Sequence, residues 1–145
     1  RSPEDREAVR EGLADGTLDV FATDHAPHHY DEKEQAFADA PNGIVGLETA
    51  LGLALTHVVG EGLIDLSTLI HRMSTGPADA FSLPGGTLAP GSPGDVTVLD
   101  PNEAWTVDRG VFLSKGHNTP FHGRELKGRA VFTIVGGTVV WQADA

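Results

Sequence analysis

One stretch combines an apolar run with a dense polar cluster: Leu18-Asp19-Val20-Phe21-Ala22-Thr23-Asp24-His25-Ala26-Pro27-His28-His29. Its first six residues are mostly apolar and partly β-branched, which predicts a strand buried on both faces, as in a parallel sheet. Residues 24–42 are largely polar and show little periodicity, which predicts a long loop. Loops at the carboxyl ends of strands carry the functional groups of α/β folds. The stretch therefore predicts an α/β fold whose site follows this strand.

Helices are predicted on both sides of that stretch. The first begins with Ser2 as the N-cap and Pro3 at the first helical position, and acidic residues follow in its first turn. It is expected to run to about Ala14, where Asp15-Gly16 would stop it. After the loop, apolar residues at helical spacing predict one mostly buried helix and two shorter ones. These three helices are expected over residues 44–59, 67–73 and 77–83.

The pattern changes near Gly85, where Gly and Pro begin to separate short apolar runs. Asp95–Leu99 and Ala130–Trp141 are typical of strands, and Gly136-Gly137 within the second run predicts a hairpin turn. We therefore expect a unit of helices with a buried strand, followed by a β unit. The expected bounds of the two units are 1–84 and 85–145.

The charge balance and the absence of cysteine narrow the function. The chain has 145 residues, with 10 Lys and Arg against 21 Asp and Glu, and its formal net charge at pH 7 is −11. Such a surface repels phosphates, which argues against a nucleic-acid or anionic-membrane binder. Without a signal peptide or an apolar run of membrane length, we expect a cytoplasmic protein. The absence of Cys excludes disulfides and zinc–thiolate sites, so a metal would need His and carboxylate ligands.

The polar cluster offers a candidate active site. Asp24, at the end of the predicted strand, could bind a divalent metal and accept a proton from metal-bound water. His28 could hold a carboxylate or an oxyanion of a substrate. Asn42 and Gly43 could contact a polar ligand at a helix start, although Asn is also a favoured helix cap. The cluster is equally compatible with a solvated turn, and it supplies fewer than the roughly three protein ligands of catalytic zinc.

The remaining histidines are weaker candidates. His57 and His71 lie in predicted helices and are expected on helix faces rather than at a metal. His117 and His122 flank Asn118-Thr119-Pro120-Phe121, a stretch that we expect to act as a lid or as a structural tie between the two units.

Three motifs occur along the chain: Ala22-Thr23-Asp24-His25-Ala26-Pro27-His28, Pro41-Asn42-Gly43-Ile44-Val45-Gly46-Leu47-Glu48-Thr49-Ala50 and Asn118-Thr119-Pro120-Phe121-His122-Gly123-Arg124-Glu125-Leu126-Lys127-Gly128. Together they resemble the C-terminal part of class I dihydroorotases, which belong to the amidohydrolase superfamily. The resemblance covers essentially the whole chain. It implies an α/β fold that is the C-terminal part of a metal-dependent-hydrolase TIM barrel, with its last strand and following helices, plus part of a small β domain.

For the site, the resemblance implies a zinc-dependent enzyme that interconverts dihydroorotate and N-carbamoyl-aspartate in pyrimidine biosynthesis. Asp24 matches the carboxylate that ends the last barrel strand, binds metal and acts as the general base. His28 matches a histidine that contacts the substrate. Asn42 and Gly43 match a pair of substrate-contacting residues before the following helix.

Parts of that family's pattern are absent from this sequence. No two histidines are spaced i, i+2, and the family's later metal-binding histidines and its middle Asp or carboxylated Lys are missing. We therefore expect a fragment that cannot assemble the metal centre alone. The alternatives are another cyclic amidohydrolase, either dihydropyrimidinase or allantoinase, and a non-catalytic scaffold that binds a carbamoyltransferase. Homo-oligomer formation is also left open.

Overall fold

The computed structural model describes residues 2–143. Its first helix, α1 (Pro3–Asp15), begins where the sequence predicts. The Ser2 hydroxyl accepts a hydrogen bond from the Asp5 N–H at 3.1 Å, and the Asp5 carboxylate accepts one from the Ser2 N–H at 3.0 Å. This reciprocal capping box satisfies two backbone donors at the start of the helix. Gly16 ends the helix in the left-handed conformation, with φ of 91°.

The strand predicted over Leu18–Thr23 is not a strand in the structure. The Leu18 N–H donates to the Gly12 carbonyl at 2.8 Å, and the Phe21 N–H donates to the Arg72 carbonyl at 3.1 Å. A strand requires a neighbour that pairs with it in a ladder, and the described ladders join only segments after residue 95. The prediction is therefore wrong for the described residues, because apolar composition alone does not supply a partner strand.

The later helices differ from the prediction at their ends. The helix expected from residue 44 begins at Ala50, and a short helix, α2 (Tyr30–Lys33), lies within the predicted loop. The two shorter helices form one continuous run, and Pro77 lies at its second change of helix type, directly after the π-helical turn ends. Within residues 2–143, no helix has the length and apolar character that a membrane crossing requires. The bounds are α3 (Ala50–Ala54) with a π-helical continuation (Leu55–Val59), α4 (Leu66–Ile70) with a π-helical continuation (His71–Thr75), and α5 (Gly76–Phe81).

A three-stranded antiparallel sheet follows, and its strands lie side by side in the order in which they occur along the chain. Its tight turn is Gly136-Gly137, whose φ values of 56° and 77° are readily adopted by glycine. The hairpin prediction is confirmed, and both predicted strand regions are confirmed and extend further. Pro101 is tolerated in β1 because it lies at an irregularity of register between Asp100 and Ala104. The bounds are β1 (Val96–Thr106), β2 (Glu125–Val135) and β3 (Thr138–Gln142), with a 3₁₀ helix (Arg109–Val111) after β1.

The sheet packs against α3 at two glycines. A Cβ added to Gly52 would lie 2.9 Å from the Trp105 ring, and one added to Gly128 would overlap the Leu55 side chain. The Trp105 indole N–H donates to the Gly128 carbonyl at 3.0 Å. This close packing fixes α3, and the loop before it, relative to the sheet. The buried core beneath α3 and α4 consists of Ala54, Leu55 and Leu69.

Candidate active site

The predicted site residues lie on two loops that are bonded to each other. The first site loop is residues 24–29, and the second site loop is residues 41–47. The Ala26 N–H donates to the Ile44 carbonyl at 2.9 Å. Val45 is fully buried and anchors the second site loop in the protein. The two loops therefore form one surface, although α2 and its neighbours separate them in sequence.

His25 explains why the second site loop is not helical. Its Nδ1 accepts hydrogen bonds from the Gly46 N–H at 3.1 Å and the Leu47 N–H at 3.3 Å. The backbone is thus bonded across to the first site loop rather than along a helix, and α3 begins only at Ala50. The helix predicted from residue 44 is wrong over its first six residues for this reason. Because Nδ1 is an acceptor, the neutral His25 ring carries its proton on Nε2.

Asp24 opens the first site loop in an uncommon backbone conformation. Its φ is 45°, in the left-handed region that residues other than Gly seldom adopt, although Asp does so more readily than most. Such conformations cost about 1–3 kcal/mol and cluster at functional sites. Asp24 is also exposed. Strain and exposure together fit a carboxylate used for binding or proton transfer rather than for packing.

The His28 ring is held between a carboxylate and the second site loop. Its Nδ1 lies 3.2 Å from the Glu32 carboxylate on α2. Its Nε2 lies 3.4 Å from the point that a Cβ on Gly43 would occupy. Glu32 therefore orients the ring and leaves the other nitrogen beside Gly43. An imidazolium, with a proton on each nitrogen, can serve Glu32 and a substrate anion at once.

Gly43 is the point where the two loops approach most tightly. Its φ is 111°, and an added Cβ would lie 2.6 Å from the Ala26 Cβ, so only glycine fits. The Lys33 ammonium donates to the Pro41 carbonyl at 2.6 Å and to the Gly43 carbonyl at 2.8 Å. Asn42, between them, is exposed. Because no helix starts there, the interpretation of Asn42 as a helix cap is wrong.

A third segment reaches both loops from the connection between β1 and β2. We call residues 113–118 the tie segment. Asn118 Oδ1 accepts a hydrogen bond from the His28 N–H at 3.1 Å. Asn118 Nδ2 donates to the Ala26 carbonyl at 2.9 Å and to the Gly43 carbonyl at 3.2 Å. Of the two roles expected for this stretch, the structural tie is confirmed.

Ser114 links the tie segment to a carboxylate at the end of the second site loop. Its N–H and its hydroxyl both donate to Glu48 Oε1, at 2.8 and 2.6 Å, and its hydroxyl lies 3.5 Å from His25 Nε2. Burial raises the pKa of the Glu48 carboxyl, but hydrogen bonds from Ser114 and from its own backbone N–H outweigh burial. The net pKa lies below its ordinary value, so Glu48 is ionised at neutral pH.

The sequence identified the candidate binding groups and missed the residues that hold them. The structure brings His28 and Gly43 together, whereas Asp24 and Asn42 are exposed on the loops. The missed residues are Glu32, Lys33, Glu48 and Ser114. Only Glu48 carries a signal in the sequence, since a charged residue in a mostly apolar run needs a partner when it is buried.

His57 and His122, which lie outside the loops, have structural partners. His57 lies on the π-helical continuation of α3, with Nδ1 3.3 Å from the Glu61 carboxylate. His71 lies on the continuation of α4, so both are on helices as predicted. His122 Nδ1 accepts from the Arg109 N–H at 3.3 Å.

The described residues do not complete a metal site. Within residues 2–143, no three His, Asp or Glu side chains stand close enough together to hold an ion. Asp24 offers a suitable carboxylate oxygen, but both ring nitrogens of His25 lie beside other partners, and His28 is paired with Glu32. Because catalytic zinc takes about three protein ligands, Asp24 does not suffice.

The family of the chain follows from comparison with known proteins. A model of the amidohydrolase family matches residues 1–140, so the chain belongs to that family, which is one of metal-dependent hydrolases. Membership confirms the predicted fold class, a part of the amidohydrolase barrel with a small antiparallel sheet.

Proteins similar to this chain confirm its resemblance to dihydroorotases within the amidohydrolase family. The dihydroorotase of Syntrophus aciditrophicus (strain SB) is 54% identical over 144 residues, which are 99% of this chain and 34% of that protein. The L-hydantoinase (dihydropyrimidinase) from Arthrobacter aurescens superposes with a TM-score of 0.91 at 36% identity, covering 100% of this chain and 33% of that one. The inactive dihydroorotase-like domain of the Chaetomium thermophilum CAD-like multifunctional protein gives 0.67 at 27% identity, covering 95% and 36%. The chain thus spans about a third of the length of these proteins.

Proposed function

We propose that this chain carries part of the active site of a zinc-dependent dihydroorotase, which interconverts dihydroorotate and N-carbamoyl-aspartate. One observation carries the proposal: the His28 ring, oriented by Glu32, ends beside Gly43. A cationic donor at that position suits a substrate that has a carboxylate, as dihydroorotate does. The high identity to a dihydroorotase over nearly the whole chain supports the same substrate.

Ring opening requires water to add to the ring amide carbonyl and the adjacent C–N bond to break. In the proposed mechanism the Asp24 carboxylate takes one proton from the attacking water and delivers it to the departing ring nitrogen. His28 binds the substrate carboxylate, and Asn42 and Gly43 contact polar atoms of the ring. The water oxygen ends in the new carboxyl group, which releases the second proton on ionising, and the ring nitrogen becomes the terminal amide of the carbamoyl group.

We infer that the chain acts within a larger barrel, and the complete protein below means the whole polypeptide that carries it. An open, mostly apolar groove of about 380 Å³ is lined by Phe21, Thr23 and Ile44, among others, and Leu18 is 42% exposed. Neighbouring barrel strands would cover this surface. The same strands would bring further ligands to Asp24, and we propose zinc as the ion that they hold.

The test is the substitution Asp24→Asn in the complete protein. We expect turnover of dihydroorotate to fall by about 10²–10⁴-fold, the usual contribution of a general base, and bound zinc to fall with it. Asp39→Asn is the matched control, since Asp39 is an exposed carboxylate outside both site loops, and it should leave both quantities unchanged. An Asp24→Asn protein as active as the wild type would contradict the proposal.

A second candidate is another cyclic amidohydrolase, either a dihydropyrimidinase or an allantoinase. The backbone match to the L-hydantoinase favours it. A hydantoin or dihydrouracil ring has no carboxylate, however, and would leave His28 without its proposed partner.

A third candidate is a non-catalytic scaffold that binds a carbamoyltransferase. The match to an inactive dihydroorotase-like domain of a multifunctional protein favours it. Preserved turnover in the complete protein would exclude this role as its main function. Homo-oligomer formation and the cytoplasmic location expected from composition stay predictions.

A further inference from the structure

One side chain holds both site loops at once. Asn118 Oδ1 accepts the His28 N–H, while Nδ2 donates to the carbonyls of Gly43 and Ala26. The oxygen and the nitrogen of one planar amide thus bind the backbone of both loops, at His28 in the first and at Gly43 in the second. Asn118 is half-buried, where hydrogen bonds compete less with water. The distance between the two loops therefore depends on the size of this amide group.

The backbone of the tie segment holds that amide in place. The Asn118 carbonyl accepts the Val45 N–H at 3.1 Å, and Val45 is fully buried. A Cβ added to Gly116 would lie 2.8 Å from the Pro27 Cβ and 2.9 Å from the His28 nitrogen. The tie segment therefore lies directly against the first site loop.

We propose that Asn118 is a positioning residue that sets the separation between the His28 ring and the Gly43 backbone. The inference rests on the proposed function, in which His28 and Gly43 contact the same substrate. Asn118 acts through these two groups, because its amide is occupied by their backbone atoms. Loss of its bonds lets the loops separate, so that His28 and Gly43 are no longer pre-organised for the same substrate and binding weakens.

The first test is Asn118→Asp in the complete protein, which keeps the acceptor for His28 but replaces two donors by a carboxylate oxygen facing two carbonyls. We expect KM for dihydroorotate to rise about 10-fold, with kcat within about threefold of the wild type. A merely structural role would lower the melting temperature and the active fraction but leave KM unchanged. Asn102→Asp is the matched control, because Asn102 is exposed on β1.

The second test is a double-mutant cycle with His28→Ala. If Asn118 acts through His28, Asn118→Asp should raise KM less than about twofold in a chain that already lacks the ring. An equal rise in KM in both backgrounds would overturn the inference.

A third measurement does not depend on activity. Asn118→Ala removes the side-chain acceptor for the His28 N–H but keeps the backbone carbonyl that accepts the Val45 N–H. It also places no charge against the loop carbonyls, so it serves where Asn118→Asp does not fold. We expect amide hydrogen exchange at His28 to accelerate by about 10-fold and exchange at Val45 to change far less.

The outcomes separate the two proposals. An unchanged exchange rate at His28, or an unchanged KM beside an active wild type, overturns the role of Asn118 alone. A wild-type complete protein that does not hydrolyse dihydroorotate contradicts the proposed function instead.

Discussion

Helix α1 is held by contacts between residues that are close in sequence, whereas the two site loops are held by contacts with residues that are distant in sequence. In α1, the capping box joins Ser2 to Asp5, three residues apart. In the loops, the His28 N–H bonds to Asn118, 90 residues away. The conformation of α1 is therefore determined by residues at its own start, whereas the conformation of the loops depends on a segment that is distant in sequence. Changes far from the loops in sequence should consequently alter the candidate site.

The loops also satisfy their backbone differently from the helix and the sheet. Ladders and helical turns pair backbone with backbone, but His25 Nδ1 accepts from Gly46 and Leu47, and the Asn118 amide binds three backbone groups. Side chains can hold a backbone in shapes that regular structure excludes. Asp24, which has a left-handed conformation, lies directly before His25, one of these side chains.

The largest expected effect comes from forcing the loops apart at Gly43. Gly43→Ala places a Cβ 2.6 Å from the Ala26 Cβ, and kcat/KM of the complete protein should fall by about 10²-fold. Gly85→Ala is the control, since its φ of 106° is close to that of Gly43 and no atom lies within 4 Å of the new Cβ. Equal losses in the two variants would show that strain, and not loop separation, causes the effect.

The next effect concerns substrate binding by His28. His28→Ala should raise KM for dihydroorotate by about 10–100-fold, because the substrate carboxylate loses a charged hydrogen-bond partner. Steady-state kinetics check this, with His71→Ala as the control, since His71 is an exposed histidine on the π-helical continuation of α4. An unchanged KM would remove His28 from the binding site.

A smaller effect is expected in the pH dependence of stability. The pKa of Glu48 lies below its ordinary value of 4.5, so its ionised form favours the folded state. This contribution is fully present above about pH 4.5 and is lost as the pH falls through the lower, folded-state pKa.

The measurement is the melting temperature of the complete protein between pH 6 and about pH 3. Glu48→Gln should lose less stability on acidification than the wild type, whereas Glu11→Gln, on the exposed side of α1, should follow the wild type. Parallel curves for Glu48→Gln and the wild type would contradict a role for the Ser114–Glu48 bonds.

The smallest effect is expected at the cap of α1. Ser2→Ala should cost about 1 kcal/mol of local helix stability, seen as roughly fivefold faster amide exchange in the first turn. KM and kcat should not change, because the contacts of the cap are local. A changed KM would contradict the view that the contacts of α1 are local and do not affect the site loops.

Local signals predicted the elements that depend on neighbouring residues. The cap at Ser2, the stop at Gly16 and the Gly136-Gly137 turn are each decided by a few adjacent side chains, and the structure has all three where expected. The same reasoning placed a strand over residues 18–23, which fails because pairing depends on a partner strand and not on composition.

The candidate site was predictable only in part. A carboxylate and histidines after an apolar run drew attention to Asp24 and His28. Lys33 and Ser114 have no such signal in the sequence. Each donates to a backbone carbonyl or a carboxylate elsewhere in the chain, and in sequence such a residue cannot be distinguished from an ordinary polar surface residue. Side-chain hydrogen bonds between residues that are distant in sequence could therefore not be predicted.

In the proposed function, the His28 ring beside Gly43 selects a cyclic amide that bears a carboxylate. The most direct measurement is kcat/KM of the complete, zinc-loaded protein for dihydroorotate and for dihydrouracil, which lacks that carboxylate. We expect dihydroorotate to be preferred by at least about 10²-fold. Equal or faster hydrolysis of dihydrouracil would contradict the claim in favour of a dihydropyrimidinase, and no turnover of either substrate would favour the scaffold.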